Sequence, residues 1–367
     1  MSDLLRLRVD DSIIALMASR KFSLAVTIAP DGLMLLGLSP EGKLHIELRY
    51  ISHAFAVAFD RGRLAVSNRQ EIVVYGNSPR LAPQHPEHPG LYDAFFTPLV
   101  SFFTGDCAVH DIAITRQGLV VANTRFSTVC LIDGQYNFNP IWQPKFISAP
   151  MPEDRCHLNG LVVTDDQVRY VTAFGSSDQK GGWRAEKECR GVLIDVVCDS
   201  ILLGNLSMPH SPRLFDGRLF VLESGFGAVL EIDPNNGEKR CLARLPGLTR
   251  GLCADKDILF VGLSHRRSSK LDWKLPIDSL DTPLKAGVAA VDANTGNVIG
   301  MIEILNDLRE VFDVKLLPNI ACPGIADINN PDGFFLLDSS AGSYWLTTAP
   351  ADRGGAAAGT QSKPETA

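Results

Sequence analysis

Short runs of Val, Ile, Leu and Phe, separated by Asp-Gly and Asn-Gly turns, recur along almost the whole chain, and long helical periodicity is nearly absent. Such runs read as half-buried strands, and the turn residues supply the positive φ that tight hairpins require. Examples are LAVTIAPDGLMLLGLS (24–39), AVAFDRGRLAVSN (56–68), PRLFDGRLFVLES (212–224) and VAAVDANTGNVIGMIEI (288–304). The strands group into longer units, each opened by a polar residue. His110 opens HDIAI, His157 opens HLNGLVV, His210 opens HSPRLF and Arg250 opens RGLCA. Glu310 opens EVFDVKLL, and the same unit is expected to continue through FFLLDSS and SYWLTT. Openings spaced about 40–60 residues apart match four-stranded propeller blades, and another unit covers 52–76.

The expectation is therefore an all-β chain, a single β-propeller over 1–349, with six blades and seven as the alternative. Residues 24–50 either complete the closing blade or form a partial extra one. A sandwich rarely needs this many strands, a parallel β-helix has a shorter period, and an α/β fold has no room here for its helices. Residues 77–104 read as a Pro-rich, then aromatic, loop or lid over one face, and 266–285 as a loop insertion. The small, polar stretch 350–367 reads as a disordered tail.

The formal net charge of −7 argues against a nucleic-acid partner, because phosphate contacts need a basic surface. No apolar run reaches the length that spans a bilayer, and Arg6 and Arg8 interrupt the N-terminal apolar stretch where a secretory signal would need continuity. Eight scattered cysteines with no C-x-x-C pair suggest reduced thiols, with Cys130 and Cys198 as buried strand residues. A cytoplasmic location is expected.

Several strings are distinctive: NTRFS (123–127), CHLNGL (156–161), SMPHSPR (207–213), LESG (222–225), TRGL (249–252) and EVFDVKLLP (310–318). Across roughly residues 50–318 the chain resembles an uncharacterised bacterial family of conserved hypothetical proteins, presumed six-bladed propellers and sometimes associated with tetratricopeptide-repeat proteins. The resemblance covers His110, His157, His210, Arg250 and Glu310 in their motifs, does not extend to His53, and implies a fold without implying a reaction.

The innermost strand of each blade lines the central channel, so the residues opening those strands converge. Three imidazoles from successive blades, His110, His157 and His210, suit a divalent transition metal (Fe, Zn, Cu, Ni or Mn) with positions left open for substrate. Arg250 would anchor an anionic group and Glu310 would act as acid, base or further ligand. Asn159, two residues after His157, is a substrate-contact candidate, and Asp111 a partner that orients an imidazole. Arg213 and Glu223 read as interblade hydrogen-bonding groups. His53 and His265 are further candidates for the site. The prolines in HPEHPG exclude a helical metal pair at His85 and His88, and His45 reads as a strand-surface residue. The pattern predicts a metal-dependent lyase, hydrolase or oxygenase acting on a small anionic or peptide-like substrate in the channel. The alternative is a non-catalytic scaffold that binds a protein or peptide through the 85–103 loop.

Overall fold

The computed structural model describes residues 5–29, 32–185, 190–266, 274–279, 282–306, 310–327 and 334–347. Six sheets of four or five strands, antiparallel but for one added strand, form the ring; in five of them the first strand of the blade is innermost, and the inner strands touch in ring order. Blade 2 is built from Val57–Asp60, Arg63–Ser67, Glu71–Asn77 and Ala94–Phe103, and blade 3 from Val109–Ile114, Leu119–Asn123, Thr128–Ile132 and Asn139–Trp142. Blade 4 comprises Leu158–Thr164, Gln167–Ala173, Gly191–Asp195 and Ser200–Leu206. Blade 5 comprises Pro209–Phe215, Arg218–Glu223, Ala228–Ile232 and Lys239–Arg244. Blade 6 comprises Leu248–Asp255, Ile258–Ser264, Gly287–Asp292 and Val298–Ile304.

Blade 1 closes the ring with strands from both ends of the chain. Its inner strand is Glu310–Pro318, paired antiparallel with Phe22–Ala29, which continues into Gly32–Leu38 and Leu44–Tyr50. Residues 24–50 therefore complete the closing blade. The unit expected to run on from Glu310 is divided: its first strand belongs to blade 1, while Phe334–Asp338 and Ser343–Thr347 form a separate hairpin. That hairpin docks through the Trp345 ring, which lies 5.1 Å from Phe95 and 4.9 Å from His85.

Because strand residues alternate between faces, each blade is apolar on both sides and packs against two neighbours. The core is accordingly a series of layers between blades. Leu33, Val57, Val66 and Phe96 fill the layer between blades 1 and 2, and Val120, Leu158, Val171 and Ile194 that between blades 3 and 4. Ile13, Val26, Phe260 and Val314 seal the junction of blades 6 and 1. Ile13 comes from the helix Asp11–Arg20, which the strand periodicity does not signal. Ahead of it, Leu7–Val9 adds a fifth strand to blade 6.

The segment expected as a lid over 77–104 is part loop and part blade 2. Ala94–Phe103 is its outer strand, extended in parallel by Pro323–Ile325. Only 78–93 is loop with a short 3-10 turn, and there His85 and His88 stack at 5.4 Å beside Tyr92. The insertion at 266–285 lies partly outside the described residues, and the tail at 350–367 lies wholly outside them. Cys130 is buried as expected, whereas Cys198 sits exposed in the turn after Gly191–Asp195. Among the described residues no helix is long and apolar enough to cross a membrane.

Candidate functional site at the channel mouth

Backbone geometry fixes which residues are equivalent from blade to blade. His53, Ala108, His157 and Met208 all adopt left-handed φ, at 55, 50, 54 and 53°, just ahead of the inner strands of blades 2 to 5. Two residues further on stand Phe55, His110, Asn159 and His210. Three of these bind the carbonyl two residues back: His110 Nδ1 to Ala108 at 2.7 Å, Asn159 Nδ2 to His157 at 3.1 Å and His210 Nδ1 to Met208 at 3.1 Å. Val57 N donates to Asp313 Oδ2 as Leu161 N donates to Asp111 Oδ2, so Phe312 in blade 1 corresponds to His110. Arg250 precedes Gly251 (φ 79°) as His210 precedes Ser211 (φ 49°).

The ring is therefore Phe312, Phe55, His110, Asn159, His210 and Arg250, one residue per blade. His157 and Glu310 belong to an outer tier, two residues earlier, which they share with His53. This corrects the expectation that His110, His157 and His210 hold equivalent positions: a two-residue offset separates His157 from the others. The rings nevertheless meet. Phe312 lies 5.1 Å from Phe55, Phe55 stacks on His110 at 6.0 Å, and the Arg250 guanidinium sits 4.5 Å over Phe312. Above Asn159 the gap is filled from blade 4 and its loops. His157 lies 4.9 Å from His110, 4.6 Å from Phe174 and 4.3 Å from Trp183, and Phe174 meets His210 edge-on at 4.9 Å.

Each of the three imidazoles has its Nδ1 engaged. His157 Nδ1 is 3.0 Å from the Asp154 carboxylate, which also accepts from Trp183 Nε1 and from the Arg184 guanidinium, both at 2.9 Å. Burial by itself would raise the Asp154 pKa, but His157, Trp183 and Arg184 outweigh it and hold the carboxyl below its ordinary value. Burial, then the positive field of Arg250 and the neighbouring imidazoles His157 and His210, push His110 well below the usual histidine range. His110 is a neutral base at physiological pH. Asp154 lies in a loop, Phe174 just past a strand end and Trp183 in a short 3-10 turn (Gly182–Arg184), and none of them opens a strand that the periodicity could mark.

Beneath the ring, a buried ion network fills the axis. Arg213 of blade 5 crosses past blade 4 to bind Asp111 of blade 3 through two bonds of 2.7 and 3.0 Å. It also donates to the carbonyls of Leu161 in blade 4 and Leu252 in blade 6, and lies 3.8 Å from Asp313 in blade 1. Asp313 in turn accepts from Val57 N in blade 2, so one network touches all six blades. Burial favours the neutral form of both acids, yet Arg213 and Lys315 keep Asp111 below its ordinary pKa. Asp313 stays raised by burial, with repulsion from Asp111 adding to it. Asp111 thus braces the channel floor instead of orienting an imidazole. Arg213 bonds between blades as expected, whereas Glu223 accepts from Ser207 N at 2.9 Å in the link between blades 4 and 5.

Asn159 is buried with its amide taken at both ends, since Thr172 Oγ1 donates to its Oδ1 at 2.9 Å. Burial pushes the Cys156 thiol up to about 12, which removes it as a nucleophile beside His157. His45 is a strand residue 3.3 Å from Glu47, and His265 directly follows the second strand of blade 6. Among the described residues, no three His, Cys, Asp or Glu side chains group as a metal ion would require. A cleft of about 700 Å³ lies elsewhere, lined by Arg49, Glu71, Tyr75 and Leu99 on the outer strands of blades 1 and 2. The chemistry converges at the mouth, so convergence outweighs volume in choosing the site.

Fold and site together define a six-bladed propeller whose mouth is lined by imidazole and aromatic rings and floored by buried charge. The chain belongs to the family described as a domain of unknown function (DUF4915), which matches residues 11–326. No curated protein matches it. Among solved structures it is similar to a chain of a nidogen/laminin complex, with 11% identity over 81% of this chain and 99% of that one, at a TM-score of 0.51. It also matches a Bacteroides caccae protein of unknown function (9% identity; 81% and 98% covered; TM-score 0.48). At such identity the nidogen/laminin likeness speaks to fold alone.

Proposed function

We propose that the protein is an enzyme acting on a small anionic molecule at the channel mouth, with His157 as general base or acid, Asp154 orienting it, and Arg250 anchoring the anion. The observation that carries this reading is the Asp154–His157 pair, beside the neutral His110 and the guanidinium of Arg250. A carboxylate on Nδ1 fixes the ring's orientation and tautomer, which is what a proton-transferring imidazole needs. The ion network across the axis favours a small molecule over a threaded polymer. Glu310, in the same outer tier as His157, supplies a second acid or base.

The test is thermal-shift titration of the full chain with a panel of small carboxylates and phosphate esters. At least one acid should stabilise the wild type, and Arg250→Met should lose that shift, with His157→Gln retaining it but lacking turnover. No stabilising acid, or equal shifts in Arg250→Met, would overturn the reading.

A metal-dependent version has one observation in its favour: all three Nδ1 atoms are engaged by protein groups, as is usual for imidazoles that bind a metal through Nε2. It requires His110, His157 and His210 to close on a shared point across two tiers. Metal analysis of protein purified anaerobically without chelators decides it. One equivalent of a transition metal, lost in the triple alanine variant of these histidines, would establish the metal enzyme. No metal in either, after reconstitution, would leave the Asp154–His157 pair as the working group.

A further inference from the structure

We infer that Thr124 and Ser224 are positioning residues that hold His110 and His210 as Nδ1–H imidazoles, so that each presents an unprotonated Nε2 to the mouth. The argument is one of proton counting. A hydroxyl has a single proton to donate. That of Thr124 goes to the Leu158 carbonyl in the next blade, and that of Ser224 to the Thr249 carbonyl in the blade after its own. Towards the imidazoles these oxygens offer only lone pairs, at 2.8 Å from His110 Nδ1 and 2.7 Å from His210 Nδ1. The other partner of each Nδ1, the carbonyl of Ala108 or Met208, also only accepts. An Nδ1 facing two acceptors must carry the proton, and in a neutral ring that leaves Nε2 bare.

The same hydroxyl clasp recurs where no histidine stands beside it. Ser67 Oγ lies 3.4 Å from Val109 O and Ser264 donates to Val311 O at 3.1 Å, each joining the second strand of one blade to the inner strand of the next. In blades 3 and 5 this seam has therefore gained a second role. Blade 4 departs from the pattern: Phe174 follows Ala173 as Thr124 follows Asn123, and there His157 receives its acceptor from Asp154 instead. His110 and His210, from different blades, thus share one tautomer, and His157 shares it by another route. A molecule that meets the unprotonated Nε2 of His110 would bring it a hydrogen-bond donor or a cation, with its negative charge towards Arg250. A hydroxy acid has both features.

The role in positioning rests on the mouth being the working site, but the tautomers are measurable without ligand. The experiment is long-range proton–nitrogen correlation on the full chain labelled with ¹⁵N-histidine at pH 7.5, with His110→Asn and His210→Asn for assignment. Both rings should show protonated Nδ1 and bare Nε2. Thr124→Val should shift His110 towards a tautomer mixture and leave His210 unchanged, Ser224→Ala should do the reverse, and Thr124→Ser should restore the wild-type pattern. Protonated Nε2 in the wild type, or a His110 signal unmoved in Thr124→Val, would overturn the inference. Should the valine variant not fold, the wild-type and Thr124→Ser spectra still decide the tautomer. Failure to find a bound acid would sink the proposed function and leave these spectra untouched.

Discussion

At His110, folding and protonation oppose each other, which makes stability a probe of the site. Burial first, then Arg250 and the neighbouring histidines, depress its pKa in the folded chain, whereas in the unfolded chain it titrates near ~6.5. Below that pH the unfolded state binds a proton that the folded state refuses. The contribution of neutral His110 is therefore complete above about pH 6.5 and is lost as pH falls from there towards the folded pKa, at up to ~1.4 kcal/mol per pH unit. His110→Asn is a suitable control because Asn159 already caps the equivalent carbonyl in blade 4. Urea midpoints at pH 7.5, 6.5 and 5.5 should fall more steeply for the wild type than for His110→Asn, and parallel curves would exclude this linkage. The sequence made His110, His157, His210, Arg250 and Glu310 visible as polar residues opening apolar strands. It hid their tiers, because a left-handed residue such as His157 ahead of a strand is indistinguishable from the strand's first member. Asp154, Trp183 and Phe174 carry no periodic signal, and only the folded chain brings them to His157.

Between elements, the inner strands approach so closely that some positions exclude a side chain. Gly251 has φ 79°, and a Cβ there would lie 2.7 Å from Asp313 Cα and from Val314 N, where backbone of blade 1 abuts blade 6. Gly217, a hairpin turn in blade 5, has a similar φ of 76° with nothing within 4 Å of its Cβ position. Gly217→Ala should cost only the left-handed penalty of ~1–2 kcal/mol. Gly251→Ala adds overpacking of ~1–3 kcal/mol against backbone that cannot rotate away. Chemical denaturation of the two variants separates the contributions, and equal losses would mean that the blade 6–blade 1 seam yields freely. The hairpins themselves were legible because Asp-Gly and Asn-Gly turns punctuate alternating apolar runs. Legibility failed where one local signal serves two architectures. FFLL and SYWLT do form paired strands, but local pattern does not state that they leave the ring while Glu310–Pro318 closes it. The helix Asp11–Arg20 buries only Ile13 and Met17, too narrow a stripe to stand out from strand-like neighbours.

For the whole molecule, the question is what keeps six blades in one ring when each touches only its neighbours. Apolar layers join blades pairwise, and the paired strands of blade 1 close the circle. The Arg213 network is different in kind, since one side chain reaches partners on blades 3, 4 and 6 and lies within ion-pair range of blade 1. Two desolvated charges bring little net stability as a pair, but removing one leaves the other buried without its counter-charge. Arg213→Met should therefore destabilise by about 3–5 kcal/mol, as Asp111 loses both bonds and Asp313 keeps Lys315 at 3.4 Å. Asp111→Asn removes the negative charge instead, leaving Arg213 with Asp313, 3.8 Å away, as its counter-charge. If the pair acts as a unit, the double variant should be more stable than the sum of the single losses implies, by about 0.5–3 kcal/mol. Urea denaturation of all four proteins at pH 7.5 gives the coupling directly. Strict additivity would show that Asp111 and Arg213 serve their own blades separately, and the ring would then be held by its apolar seams alone. A coupling of the expected sign makes the axis a shared support, so that a change at the channel floor is felt in blades on opposite sides of the mouth.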